Sequence, residues 1–365
     1  MSIARLDIHH VRNLLTLGLT PHPRYNVFYG QNGSGKTSLL ESVYLLSSGR
    51  SFRTRDVSSL IATHTSSLVV FAKTTKDDVI SIEKSKAGTT VRVNQHPCLK
   101  SSELALLLPC QVFYQDIFDI INAGPSVRRS VLDWGLFHVK QSYRTLLKDY
   151  RKILKHRNAL LKQKASFSEF EPWNKQLAVL SEALDEHRSA YVETWSVQFS
   201  HILSLLTDFS CSLSYEKGWD KKKTGQSLEV ILKQQFEQDI FRQTTHSGAH
   251  HADLMFDVHP LHVKQNLSRG QQKVILIALK LAQAQLLNQP CLYLFDDMTS
   301  ELDLKHVERF LSLLDTIEGQ FYFTSIQPDV FCDHFEPSQA SFFALEAGTV
   351  IPKMFHVKHS TLLPE

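Results

Sequence analysis

Hydrophobic positions change their period along this chain. From residue 3 to about residue 120, short apolar runs and two-residue alternation prevail: residues 25–29 form one apolar stretch, and residues 68–72, 79–83 and 89–93 read as short segments between polar turns. These patterns predict strands, with a further core strand at 112–114. One helical pattern interrupts them, carried by Leu39, Leu40, Val43 and Leu46. Beyond residue 123 the spacing becomes helical. Tyr143, Leu147, Tyr150, Leu154 and Leu161 mark one amphipathic helix, and a second runs from Leu177 through Leu184, Tyr191, Trp195 and Phe199 to Leu205. The pair predicts a helical hairpin joined through residues 166–172. After residue 246 comes a strong helix pattern (Val274, Ile275, Ile277, Ala278, Leu281, Ala282, Leu286), followed by strands at 291–295, 320–324 and 340–345. No internal repeat or low-complexity tract breaks this order. It predicts an α/β chain in three segments: 1–122, rich in strands; 123–245, a mainly helical insertion; and 246–365, a return to the first fold.

The first strand-to-helix junction carries Gly30-Gln31-Asn32-Gly33-Ser34-Gly35-Lys36-Thr37, which fits the G-x-x-x-x-G-K-[ST] pattern in its expected context. Glycines let the backbone curl its N–H groups around a phosphate, and the following helix N-terminus adds a favourable dipole. The candidate ATP contacts are Gly30, Asn32, Gly33, Ser34, Gly35, Lys36, Thr37 and Ser38. Lys36 is expected to reach the outer phosphates and Thr37 to ligate Mg²⁺. The apolar run Cys291-Leu292-Tyr293-Leu294-Phe295 ends in Asp296-Asp297, the arrangement of a Walker B strand. Asp296 is placed to hold Mg²⁺ with Thr37, and Asp297 to orient the attacking water or act as general base.

Between these elements lies Leu267-Ser268-Arg269-Gly270-Gln271-Gln272, at the start of the 274–286 helix pattern. This segment resembles the signature motif of ABC-type ATPases. The resemblance implies that Ser268, Arg269, Gly270 and Gln271 meet the γ-phosphate held by a second subunit, giving an ATP-bridged homodimer. Ser268 also has the residue type and position of an N-cap, and the two roles are compatible. Ser300-Glu301-Leu302-Asp303 matches the D-loop of the same ATPases, which would put Asp303 at the dimer interface.

Composition narrows the setting. The 365 residues are 42% hydrophobic and 21% charged, enough for one large core or two smaller ones. Five cysteines show no paired spacing, so neither a disulfide framework nor a zinc knuckle is indicated. The first residues lack the build of a signal peptide, and no apolar run reaches the ~18 residues of a membrane helix. The expected address is therefore the cytoplasm, without a membrane partner. The net charge of +3 is unevenly spread: residues 140–164 hold nine Lys or Arg and one acid, Asp149, so +8 sits there and −5 elsewhere. Arg144, Lys148, Arg151 and Lys155 fall on one helical stripe. Two readings stand, a basic face tracking a DNA backbone and a solvated face balancing acids on the neighbouring helix. The Lys221-Lys222-Lys223 run reads as a loop.

Further blocks make the resemblance more specific. Phe28-x-Gly30-x-Asn32-Gly33-Ser34-Gly35-Lys36-Thr37-Ser38, Gly49-Arg50-Ser51-Phe52-Arg53 and Gly124-Pro125-x-x-Arg128-Arg129-x-x-Leu132-Asp133-Trp134-Gly135-x-Phe137-His138 are three of them. With Arg157-Asn158-x-x-Leu161, Leu267-Ser268-Arg269-Gly270-Gln271 and Asp296-Asp297-x-x-Ser300-Glu301-Leu302-Asp303, they resemble the RecF family of bacterial repair ATPases related to SMC heads, over residues 3–327. The resemblance implies an ABC-type, SMC head-like P-loop core with an inserted helical lobe. It also implies slow, DNA-stimulated ATP hydrolysis, ATP-dependent dimerisation on single- and double-stranded DNA at gaps or junctions, and recombinase loading with RecO- and RecR-type partners.

The chain departs from the family's pattern at several places. Gln115 stands where the family more often has Pro, and reads either as a Q-loop ligand or as a polar strand end. Gly248-Ala249-His250-His251-Ala252-Asp253 lacks a Pro and an Arg of the family block, and His251 carries far less charge at pH 7. His246, His250, His251, His259 and His262 fit no zinc template. Thr324 occupies the place of the switch His of many ABC-type proteins. Arg12 and Asn13 resemble a family element near the nucleotide, with an exposed turn as the equal reading. Two other classes share parts of this pattern. A transporter nucleotide-binding subunit shares only the ATPase motifs, and a nuclease-linked ATPase lacks room for a nuclease domain after Walker B.

Overall fold

The computed structural model describes residues 1–259, 267–287, 289–298 and 300–351. It divides into two compact units, one of Met1–Tyr114, Gln289–Ser300 and Glu318–Glu365, the other of Gln115–Asn288 and Glu301–Ile317.

The first unit holds two six-stranded sheets. One is antiparallel, in the order Leu14–Leu19, Ile3–Val11, Ser67–Thr74, Val79–Ser85, Gly88–Val93 and His96–Pro97. Its strands alternate buried and open positions, so one face packs on the core and the other meets solvent. The other sheet runs Thr349–Ile351, Ala340–Glu346, Tyr25–Tyr29, Gly319–Ser325, Cys291–Phe295 and Cys110–Phe113, and is parallel except at its first pair. Tyr25–Tyr29 and Cys291–Phe295 are buried at every position, as expected of parallel strands covered on both faces. Register aligns Tyr29 with Ser325, and Phe295 with both Phe323 and Phe113. Four carboxyl ends therefore lie side by side, where α/β sheets place their ligands. The helix Lys36–Ser48 leaves this edge and buries Leu39, Leu40, Val43, Leu45 and Leu46.

The second unit is built on a helix of 40 residues, Phe167–Leu206, packed beside Tyr143–Gln163. At ~1.5 Å per residue the long helix spans about 60 Å. It begins about ten residues before the hydrophobic pattern does, so the expected connection through 166–172 shrinks to a turn. Ser166 and Glu169 form a capping box that starts the helix ahead of Pro172. Proline then forfeits a backbone donor inside the helix, while the neighbouring Phe170 and Asn174 are fully buried. A second difference is the strand Ser210–Glu216 in the region read as mainly helical, which pairs antiparallel with Asp253–His259 from the segment read as the return to the first fold. Its buried Cys211 and Leu213 alternate with exposed serines, a short period-two signal between longer helical ones.

The helix Arg269–Gln285, grouped by sequence with the 246–365 return, belongs to this second unit, and Trp195 Nε1 donates to the Leu279 carbonyl at 3.0 Å. Gln115, grouped by sequence with 1–122, opens the same unit in a short 3₁₀ turn, Gln115–Phe118.

Candidate active site

The glycine-rich loop turns between the strand Tyr25–Tyr29 and the helix Lys36–Ser48 under tight backbone constraint. Gly30 has φ +151°, and a Cβ there would lie 2.2 Å from the Leu345 carbonyl oxygen. Gly35 has φ +109°, and its Cβ would meet Leu14 Cδ2 at 2.7 Å. Both are left-handed conformations that only glycine adopts at little cost. Asn13 ties the loop from outside: its Nδ2 donates to the Gly33 carbonyl at 2.9 Å and its Oδ1 accepts from Ser38 Oγ at 3.1 Å.

Inside the loop two groups have the character of phosphate ligands. Lys36 Nζ folds back onto the carbonyls of Gly30 (2.7 Å) and Gln31 (3.0 Å). Ser34 Oγ is buried with no hydrogen-bond partner among the described residues. Burial pushes the Lys36 ammonium below its ordinary pKa, against the opposing pull of Asp296 and Asp297. Asn32 is exposed at the loop tip.

Beside the loop, Thr37 Oγ1 lies 2.9 and 3.1 Å from the two carboxylate oxygens of Asp296. Thr324 Oγ1 donates to Asp296 Oδ1 at 2.8 Å and accepts the Asp297 backbone N–H at 2.9 Å. Burial raises the Asp296 carboxyl above the usual range, while the hydroxyls of Thr324 and Thr37 and the charge of Arg53 draw it back. A carboxylate and a hydroxyl on neighbouring elements are hard oxygen donors, the set that suits Mg²⁺. Asp297 follows with φ +52°, a left-handed conformation that Asp adopts more readily than most residues. In the sequence Thr324 reads only as the residue standing in place of a histidine; in the fold its hydroxyl joins both acids. Arg53 and Glu41 likewise carry no role in the sequence pattern. Arg53 lies inside one of the family blocks, whereas Glu41 reads as an ordinary helical residue.

Arg12 Nε and Nη2 pair with the two carboxylate oxygens of Glu41 at 2.5 and 3.1 Å. Its neighbour Asn13, not Arg12 itself, touches the loop.

The signature residues lie in the second unit. Ser268 caps Arg269–Gln285, its Oγ accepting from Gln271 N at 3.2 Å while Gln271 Oε1 accepts from Ser268 N at 3.0 Å. Gln271 is thereby the second half of a capping box. Ser268 and Arg269 remain exposed, Arg269 pairing with Glu301 at 3.2 Å, and Gly270 sits in the first turn. Asp303 caps the helix Leu304–Asp315 by accepting from His306 N at 2.8 Å.

On the helix Tyr143–Gln163, Arg144, Lys148, Arg151 and Lys155 are all exposed along one face, with Arg151 3.5 Å from Asp133. Arg157 breaks the count of surface charges, being fully buried against Asp239 at 2.8 Å. The histidine group is held by protein partners: His250 Nδ1 meets the Tyr150 hydroxyl at 2.6 Å and Nε2 the Thr245 carbonyl at 2.9 Å, and His246 pairs with Asp239. His262 lies outside the described residues.

The pattern of the RecF/RecN/SMC N-terminal domain family matches residues 2–342. The chain is 38% identical to the DNA replication and repair protein RecF of Marinomonas sp. (strain MWYL1) over 339 residues, 90% of this chain and 91% of that one. To the RecF protein of Shewanella woodyi it is 37% identical over 365 residues, 97% and 99% of the two chains. Among solved structures, its fold is similar to that of the recombination mediator protein RecF with ATP in the RecFOR pathway. The TM-score is 0.82 at 24% identity, covering 96% of this chain and 97% of that one.

Proposed function

Because the chain belongs to the RecF family of DNA replication and repair proteins, we propose that it is a slow, DNA-stimulated ATPase whose nucleotide state controls its hold on DNA. The observation that carries this reading is the cradle itself: an orphaned Ser34 hydroxyl, a Lys36 ammonium resting on loop carbonyls, and Asp296 gripped by Thr37 and Thr324. Each group has bonding capacity that a phosphate or its metal ion would take up.

In this reading Lys36 moves from the carbonyls of Gly30 and Gln31 to the outer phosphates. Thr37 and Asp296 hold Mg²⁺, which would neutralise charge on the β- and γ-phosphates. Asp297, fixed through its backbone by Thr324, orients the attacking water and takes up its proton; a bond forms from that oxygen to the γ-phosphorus, the bond to the β–γ bridging oxygen breaks, and ADP, phosphate and the proton leave. Ser268, exposed at a helix N-terminus, would meet the γ-phosphate of a second copy, so that ATP joins two chains and hydrolysis parts them. Arg144, Lys148, Arg151 and Lys155 would hold the DNA backbone. On the family's pattern, the bound dimer would mark single-strand gaps for recombinase loading with RecO- and RecR-type partners.

Sedimentation of Ser268→Arg tests the shared site. The variant is expected to bind ATP with near wild-type affinity yet remain a monomer with ATP and Mg²⁺, whereas the unaltered chain dimerises. Losing the cap costs only about 1 kcal/mol, so the fold should survive. Normal ATP-driven dimerisation by this variant would remove Ser268 from the trans site.

A further inference from the structure

Glu41 occupies an unexpected position for an acid. It lies in the helix that leaves the P-loop, one turn beyond Thr37 and therefore on the same face, and its side chain is fully buried. The positions around it are Ser38, Leu39, Leu40, Ser42 and Val43, all buried as well. A carboxylate there is expensive unless charge and hydrogen bonds compensate it, and a buried ion pair is weak evidence of stabilisation. Compensation comes from two segments distant in sequence. Arg12 offers a two-pronged guanidinium, and Ser51 Oγ donates to Glu41 Oε1.

Both partners belong to turns beside the nucleotide cradle. Arg12 stands in the left-handed region at φ +53°, with its N–H on the Leu60 carbonyl at 2.7 Å, directly before the Asn13 that braces Gly33 and Ser38. Because Glu41 takes Nε and Nη2, the guanidinium is held in one orientation, with Nη1 making no hydrogen bond among the described residues. Ser51 Oγ in turn accepts the N–H groups of Arg53 at 2.9 Å and Thr54 at 3.0 Å, closing the turn that carries Arg53.

We infer that Glu41 is a positioning residue for ATP hydrolysis. It fixes Arg12 in the turn whose Asn13 braces the cradle, and through Ser51 it fixes the turn bearing Arg53, so that two cations are set by one buried anion. This rests on the reading of the loop as an ATP site. Rate is sensitive to such placement, since a shift of about 1 Å can cost roughly a hundredfold.

The test uses the full chain and compares steady-state ATP turnover with equilibrium ATP binding. Glu41→Gln keeps the size of the side chain but removes its charge. It is expected to lower kcat about tenfold or more, with ATP affinity changed less than threefold. Ser51→Ala, a smaller perturbation that keeps the protein folded if Glu41→Gln does not, should lower kcat in the same sense. The double variant should fall little further than Glu41→Gln alone, because both act through one network. A kcat within twofold of wild type in both single variants would overturn the inference, as would losses confined to KM. Lys36→Ala separates the two layers: if it leaves ATP binding intact, the site reading fails whatever Glu41→Gln does.

Discussion

Arginine does opposite work in the two units. In the second unit Arg128, Arg157 and Arg188 are sunk in the interior and committed to acids: Arg128 grips Asp253 at 2.7 and 2.9 Å, Arg157 meets Asp239 at 2.8 Å, and Arg188 meets Asp133 at 2.8 Å. Further acceptors engage them, including Tyr143 Oη and the Ala249 carbonyl for Arg188, and Asn174 and Thr245 for Arg157, whose Nη2 alone is left without a hydrogen bond among the described residues. In the first unit Arg12 is only part-spent on Glu41, Lys36 rests on exchangeable carbonyls, and Ser34 Oγ has no partner among the described residues. Polar groups that are consumed by the protein specify a fold, whereas those left with capacity await a ligand. The most distinctive sequence block, Arg128-Arg129 through Asp133-Trp134-Gly135, falls on the first side of this divide. Its Asp133 accepts from Tyr143 and Arg188, and a Cβ on Gly135 would lie 2.1 Å from the Tyr191 hydroxyl.

The comparison can be broken most sharply at Arg157. Replacing it with Met leaves Asp239 buried without its cation, which should cost about 3–5 kcal/mol of stability. ATP affinity measured below the melting transition should be unchanged. Denaturant unfolding and nucleotide titration of the same preparation decide between the roles. A variant that unfolds like the wild type but loses ATP would reverse the assignment.

One helix contains both kinds of arginine, and this sharpens the contrast. Arg144, Lys148 and Lys155 are exposed on Tyr143–Gln163, while Arg157 on the same helix is not. Changing the three exposed residues to Glu should leave the melting temperature nearly unaltered and weaken DNA binding. The log–log salt slope should shrink by roughly 0.9 for each phosphate of duplex DNA that the variant no longer neutralises. An unaltered slope would make that face a solvated one.

The same divide explains what the sequence could reveal. The P-loop, Walker B and signature motifs stand out in the sequence because phosphate and metal chemistry requires particular residue types at fixed short spacings. The parallel strands were legible because burial on both faces makes continuous apolar runs such as Cys291–Phe295. Thr324, Arg53 and Glu41 were not, since their meaning lies in partners far away in sequence: Asp296 is 28 residues from Thr324, and Arg12 is 29 from Glu41. The basic stripe was visible as charge, but helical period alone could not tell that Arg157 faces Asp239, 82 residues on. Pro172 concealed the true start of the long helix because the capping residues that outweigh it are themselves polar and loop-like.

A smaller effect tests the consumed side of the comparison through pH. Burial lowers the His250 pKa from 6.5 to about 4, with Arg129, Arg157 and His251 adding to the shift and the Thr245 carbonyl opposing it. In the fold the ring is neutral, with Nε2 on the Thr245 carbonyl and Nδ1 on the Tyr150 hydroxyl. An unfolded chain takes up a proton below pH 6.5 that the folded ring refuses until about 4. The unfolded state thus binds more protons in that window, so stability is full above 6.5 and declines as pH falls towards 4. His138, also lowered to about 4 by burial, contributes with the same sign, so a substitution is needed to isolate His250. His250→Gln should lower the melting temperature at pH 7, because Tyr150 and Thr245 lose their shared partner, and should flatten its dependence on pH between 6.5 and 4.5. Equal slopes in variant and wild type would mean that His250 takes up its proton in the fold as readily as in the unfolded chain.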